Sequence, residues 1–174
     1  MRTFKRVLSV IPACVLWLVI STVLWGFIFN IATDTSPKKK ITVFIDAENV
    51  ADADLAEYLE ADKPSGIKMI KVHPFSYAMF GDDEITRADV FIIGEKEIEK
   101  YVGAFAECLL DGDYFVLDGV RVGVKIYDKT TKTGAAAQYI GYGDDDYYLL
   151  FGNKSAHLDD GAALDVAKKI INLT

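Results

Sequence analysis

Cysteine and histidine are both scarce, with two of each in 174 residues. Cys14 falls inside a long apolar run and Cys108 far downstream, so no internal disulfide framework is expected after the run. Cys108 reads as a buried apolar residue. His73 and His157 stand at no zinc-binding spacing, which leaves them structural or surface roles. A glycine-rich phosphate loop is missing, and neither Ser76 nor Ser155 sits in a nucleophile signature. Basic charge is also short, at 19 Lys and Arg against 26 Asp and Glu. Residues 1–32 take three of the basic residues and no acidic one, leaving 16 against 26 downstream and a charge of −10 there. Such a surface repels phosphate backbones and anionic lipid, which argues against nucleic acid as a partner. GDDDYY, residues 143–148, offers three adjacent carboxylates but lacks the alternating ligands and glycine of a calcium loop. A solvated turn is expected there, with no metal or cofactor assigned.

What the chain has in abundance is one uncharged stretch, VLSVIPACVLWLVISTVLWGFIFNIA, residues 7–32. As a helix it would extend ~39 Å, more than the ~30 Å of a hydrocarbon core. Trp25, Phe27 and Phe29 crowd its far end, where aromatic rings favour the membrane interface. The apolar core of a cleaved signal is commonly only about 7–15 residues, so an uncleaved signal anchor, in contact with membrane lipid through residues 7–32, is expected. IPAC, residues 11–14, has the look of a lipoprotein cleavage box, but most of the run follows Cys14, which speaks against lipidation. Arg2, Lys5 and Arg6 would hold residues 1–6 in the cytoplasm and place the rest outside the cell membrane, a bias that Lys38, Lys39 and Lys40 weaken. Residues 33–40, with Pro37, read as a stalk, and residues 41–174 as one extracytoplasmic domain.

Within that domain ITVFID reads as a strand and DADLAEYLEAD as a helix, with Leu55, Tyr58 and Leu59 at helical spacing and KPSG as its end. IKMIKVHPF supplies a second strand, a short helical turn is expected in SYAMF or DDEITR, and DVFIIG supplies a third. The order βαβαβ favours a parallel sheet with right-handed crossovers. Ile98, Tyr101, Val102, Phe105, Ala106 and Leu109 mark one face of a helix predicted through EKEIEKYVGAFAECLL. FVLDGVRVGVKIYD reads as two strands turning at Asp118-Gly119. A polar loop containing DKTTKTGAAA follows, then a strand at YYLLF. A closing helix in GAALDVAKKIINL has Asp160 as its cap and Ala163, Val166, Ala167, Ile170 and Ile171 facing inward.

These runs, taken in order over about residues 39–173, resemble the extracellular solute-binding proteins of the periplasmic-binding-protein type II fold. The resemblance implies an α/β domain built as a three-layer αβα lobe. In that family a ribbon like FVLDGVRVGVKIYD leads into a second lobe, whereas here only DKTTKTGAAAQYIGYGDDD follows, so the likeness is to a single lobe. Family ligands lie between the lobes at the carboxyl ends of the sheet strands, a location general to open α/β sheets. The matching positions are Asp46, Glu48 and Asn49 after the first strand, Ser76 and Tyr77 after the second, and Glu95 after the third. Tyrosine can stack on a sugar, Asn and Ser pair hydroxyls, and the acids accept donors or hold a cation. The same residue types also serve as caps and turns. The resemblance implies binding and not catalysis, with an ABC-type permease or another envelope protein as partner. A small solute would be held weakly, because one lobe cannot enclose it.

A second resemblance belongs to another class. VFIDAENV, residues 43–50, is similar to the opening of NYN-type, metal-dependent ribonucleases of the PIN-like group. That likeness implies Asp46 as an ion ligand, with Asp111 and Asp113 of LLDGDYF as further acids. It ranks second because LLDGDYF runs on into β structure where the family has a helix, and it requires the three carboxylates to converge.

Overall fold

A computed structural model of the chain describes all residues except 1, 34, 76–82, 102 and 174; the side chains of 2–11, 13, 29–33, 83 and 84 also lie outside the described set. The chain forms two compact units, Met1–Thr35 and Ser36–Thr174. The first is one helix, α1 (Arg2–Thr33). Its described apolar side chains are exposed, Trp17 and Trp25 among them. Among the described residues no helix is long and apolar enough to cross a membrane. Of the run expected to do so, residues 7–11, 13 and 29–32 have side chains outside that set.

The second unit is mixed α/β. Its elements are β1 (Lys40–Ile45), β2 (Asn49–Val50), α2 (Asp52–Glu60), β3 (Met69–Pro74), α3 (Asp83–Thr86), β4 (Val90–Gly94) and α4 (Glu95–Ile98), followed by β5 (Tyr114–Leu117), β6 (Val120–Asp128), β7 (Thr133–Gly134), β8 (Ile140–Gly141), β9 (Tyr147–Phe151) and α5 (Ala162–Ile171). The main sheet runs β3-β1-β4-β9-β6-β5, with β7 beside β6. β1 is parallel to both β3 and β4, as the βαβαβ order predicts. From β9 onward the sheet is antiparallel, so it is mixed and not wholly parallel. β4 and β9 are buried at every position, which is why VFIIG and YYLLF are apolar at both parities.

One sheet face packs Ile41, Val43, Ile45 and Leu149 against Leu55 and Leu59 of α2 and Val166, Ala167 and Ile170 of α5. The other packs Phe44, Phe75, Ile85, Phe91, Tyr101, Tyr148 and Leu150 beneath short helical turns. This second helical layer is thin, and wide rings fill the space a long helix would occupy. Phe75 meets Phe91 and Tyr101 edge-on at 6.2 and 5.5 Å, and Phe105 meets Phe91 at 5.5 Å. Such pairs add ~0.5–1.5 kcal/mol each beyond their buried area.

The helix predicted through EKEIEKYVGAFAECLL is much shorter than expected. α4 ends at Ile98 and one 3-10 turn, Glu99–Tyr101, follows. Gly103, at φ +83°, then turns the chain out of helical geometry. Beyond it Phe105 bridges Gly152, and the Ala106 and Cys108 N–H groups donate to the carbonyls of Phe151 and Arg121. Ile98 and Tyr101 are buried as the pattern requires and Cys108 is buried as expected of it separately, but Leu109, on the predicted face, is 54% exposed. The ribbon turns where expected, with Asp118 at φ +50° and Gly119 at +81°, the two positive angles of a tight hairpin. The capping position of α5 is Gly161 and not the expected Asp160, whose Oδ1 accepts the Ala162 N–H at 3.0 Å from one residue farther out.

Candidate functional site

β9 runs opposite to β1 and β4, so its first residues arrive at the edge where those two strands end; Tyr147 pairs with Gly94. Asp46 continues β1 by one residue, its N–H donating to the Ile92 carbonyl at 2.7 Å. Burial, and then the neighbouring Glu97, push the Asp46 carboxyl up, while Lys100 opposes them. Lys100 is itself held at 2.7 Å by Glu97. Glu48 lies against the turn at Gly143, where an added Cβ would stand 3.1 Å from Glu48 Oε1 and 3.2 Å from the Tyr147 hydroxyl. The Gly143 N–H donates to that hydroxyl at 3.2 Å. Burial pushes the Tyr147 phenol up against the pull of the Gly143 N–H, and Asp46, Asp145 and Glu48 add to the rise. Asp46, Glu48, Asp145 and Tyr147 therefore share one neighbourhood.

Asn49 has another task. It lies in β2, paired with Gly141 of β8, so its backbone closes a small ladder over the chain that leaves β1. Ser76 and Tyr77 lie outside the described residues. Glu95 belongs to an ion-pair group that the sequence reading missed. Its N–H donates to the Asp146 carbonyl at 2.8 Å, and its carboxylate stands 3.7 Å from Lys129 Nζ. Lys129 also lies 3.6 Å from both Asp145 and Asp146, while Lys125 lies 3.4 Å from Asp146 and 3.5 Å from Asp113. Burial works to raise the Asp146 carboxyl, but the Lys129 N–H and the two ammonium groups outweigh it and hold it low. Burial likewise works against charge on Lys125, and Tyr148 with the carboxylates of Asp146 and Asp113 overrides it. The expectation of a solvated turn at GDDDYY therefore holds for Asp144 alone, since Asp145 is partly buried and Asp146 is buried.

Asp111 and Asp113 do not join Asp46. Asp111 accepts the Tyr114 hydroxyl at 3.3 Å, and Asp113 pairs with Lys125. Asp113 precedes β5, which lies four strand spacings from β1 in the sheet order. At ~4.8 Å per spacing that is ~19 Å, too far for one ion to be shared. Among the described residues no group of three or more His, Cys, Asp or Glu could hold a metal.

The chain following the ribbon, where the resembled family has its second lobe, folds back onto its own sheet. β7 pairs β6, β8 pairs β2, and the Ala51 and Ala136 N–H groups donate to the carbonyls of Tyr139 and Leu173. Tyr142 stacks on Tyr127 at 4.3 Å and donates its hydroxyl to the Ala135 carbonyl at 2.6 Å. What this edge offers a visitor is carboxylate acceptors and a tyrosine beside ammonium groups already neutralised by the protein. It suits donors, such as hydroxyls or cationic side chains, better than anions. No protein-family model matches the chain, and no curated protein matches it.

Proposed function

We propose that this is a membrane-anchored, extracytoplasmic interaction module resembling one lobe of a type II solute-binding protein, and that it acts by binding. The observation that carries this reading is the closure of residues 129–146 onto the sheet. A two-lobed ancestor shortened at its crossing would need that seam to be sealed. The βαβαβ core and the polar residues at the carboxyl edge of β1 and β4 support the reading further. The fold-level likeness is an analogy, since one fold hosts many functions. An ABC-type permease or another envelope protein is the partner that the resemblance suggests, meeting the edge at Asp46, Glu48 and Glu95.

A lone lobe should hold small solutes at best at about millimolar to high-micromolar strength, because one surface cannot bury most of a ligand. Pull-downs from membranes with wild type, Glu95→Ala and Tyr77→Ala, run beside calorimetry on sugars, peptides and metal ions, separate the cases. We expect lost partner recovery in the variants and weak solute binding throughout. Nanomolar solute capture by the monomer, with the partner profile unchanged, would restore an ordinary binding-protein role.

The anchor is tested separately. Protease shaving of intact cells should remove residues 41–174 and leave a fragment containing residues 7–32 with the membrane. Protection in intact cells followed by digestion after lysis would reverse the orientation, and a mature N-terminus beyond residue 32 would show cleavage.

A further inference from the structure

His157 is 1% exposed, and both of its ring nitrogens face acceptors. Nδ1 lies 2.9 Å from Asp160 Oδ2, and Nε2 lies 3.0 Å from the carbonyl oxygen of Pro37. A carboxylate and a backbone carbonyl have no hydrogen to give, so a neutral imidazole with its single N–H can satisfy only one of them. The doubly protonated ring satisfies both. Its surroundings favour the charge as well. Asp89, the residue just before β4, joins His157 through Ser155, whose hydroxyl lies 2.5 Å from Asp89 Oδ1 and accepts the His157 backbone N–H at 3.0 Å. Lys38 and Lys39, the two residues that follow Pro37, are exposed to solvent. Burial works against the cation, but Asp160, the Pro37 carbonyl and Asp89 outweigh it and hold the ring above the ordinary histidine range.

We propose that His157 is a protonated clasp, an imidazolium that fastens the turn leading into β1 to the loop ahead of α5, and that loss of its second proton opens the clasp. The sign follows from the two acceptors. A ring whose pKa is raised by folding contributes fully below about 6.5 and loses that contribution as pH rises through the higher folded value. The opening is local, because the Lys39 carbonyl also accepts the Lys68 N–H at 2.8 Å and β1 remains paired with β3. What comes free is Ser36, Pro37 and Lys38, which lengthens the tether ahead of the domain. The device does not depend on what the acidic edge binds.

The test uses the full chain in detergent micelles. Ring 15N shifts report protonation directly, and with only two histidines a His73→Gln variant assigns them. In parallel, tryptic cleavage after Lys38 is measured across pH as a ratio to cleavage after Lys132, which is exposed in a separate loop. We expect His157 to carry both protons at neutral pH and to titrate above the ordinary value. The cleavage ratio should rise about tenfold through the same interval, as local opening follows loss of one charge-assisted hydrogen bond. Asp160→Asn can still accept the Ala162 N–H and should move both midpoints down together. A His157 that titrates at or below the ordinary value, or a ratio that stays flat while it titrates, overturns the proposal.

Discussion

Replacing Gly152 with alanine is expected to lower the stability of the second unit by about 3 kcal/mol. A Cβ at this position would stand 2.1 Å from the carbonyl oxygen of Ala88 and 3.2 Å from Phe91 Cε2. The obstacle is backbone, which cannot swing aside as the end of a flexible side chain does. Gly152 is also held from both flanks, donating its N–H to the Asp89 carbonyl at 3.2 Å and bridging Phe105 on the other side. Its φ is not among the positive ones, so the requirement is for space alone. Gly66→Ala supplies the contrast. Nothing stands within 4 Å of a Cβ there, but φ is +91°, and the cost should be about 1 kcal/mol from torsion. Denaturant unfolding followed by tyrosine near-ultraviolet dichroism reads the domain alone, because both tryptophans, Trp17 and Trp25, belong to α1 and all nine tyrosines lie beyond it. A Gly152→Ala midpoint equal to wild type would refute the close approach.

Asp89→Ala should cost a similar amount, about 2–4 kcal/mol, for a different reason. Asp89 is 3% exposed and uses both carboxylate oxygens. Oδ2 accepts the Thr42 N–H at 2.9 Å and Oδ1 accepts the Ser155 hydroxyl at 2.5 Å. Burial pushes its carboxyl up, and those two hydrogen bonds counter the rise. Alanine would leave a buried β1 N–H without its acceptor. Asparagine keeps a carbonyl oxygen for Thr42 and can donate its amide to Ser155, so Asp89→Asn should cost only about 1 kcal/mol. Equal losses in the two variants would mean that the negative charge, and not the hydrogen-bond geometry, is what the site needs.

β1, β4 and β9 are legible in the sequence because each is a short apolar run of strand length, and the hairpin because Asp118-Gly119 is suited to positive φ at both positions. The stretch after Glu95 misled because apolar residues at helical spacing are equally satisfied by an extended segment pressed beneath aromatic rings; Gly103 was the available signal against a continuous helix. At the candidate site Asp46 and Glu95 were readable as acids that follow strands. Their ammonium neighbours were not. Lys125 and Lys129 reach Asp145, Asp146 and Glu95 only through the antiparallel pairing of β6 with β9, and a single sequence does not specify that register. The Pro37–His157 contact joins residues 120 positions apart, beyond the reach of any local pattern. The metal-cage reading of Asp46, Asp111 and Asp113 failed on strand order, which local spelling does not encode.

The position of β9 between β4 and β6 bears on how the chain is made. Residues 95–146 separate β4 from the strand that covers its second edge. A chain leaving the ribosome or a translocation pore from its N-terminus can assemble β3, β1 and β4 well before Tyr147 emerges. During that interval β4 presents four apolar residues and Gly94 with an unpaired row of backbone donors and acceptors, the kind of edge that templates pairing with another chain. A product truncated anywhere ahead of Tyr147 therefore keeps that edge open for good, making it a seed for aggregation.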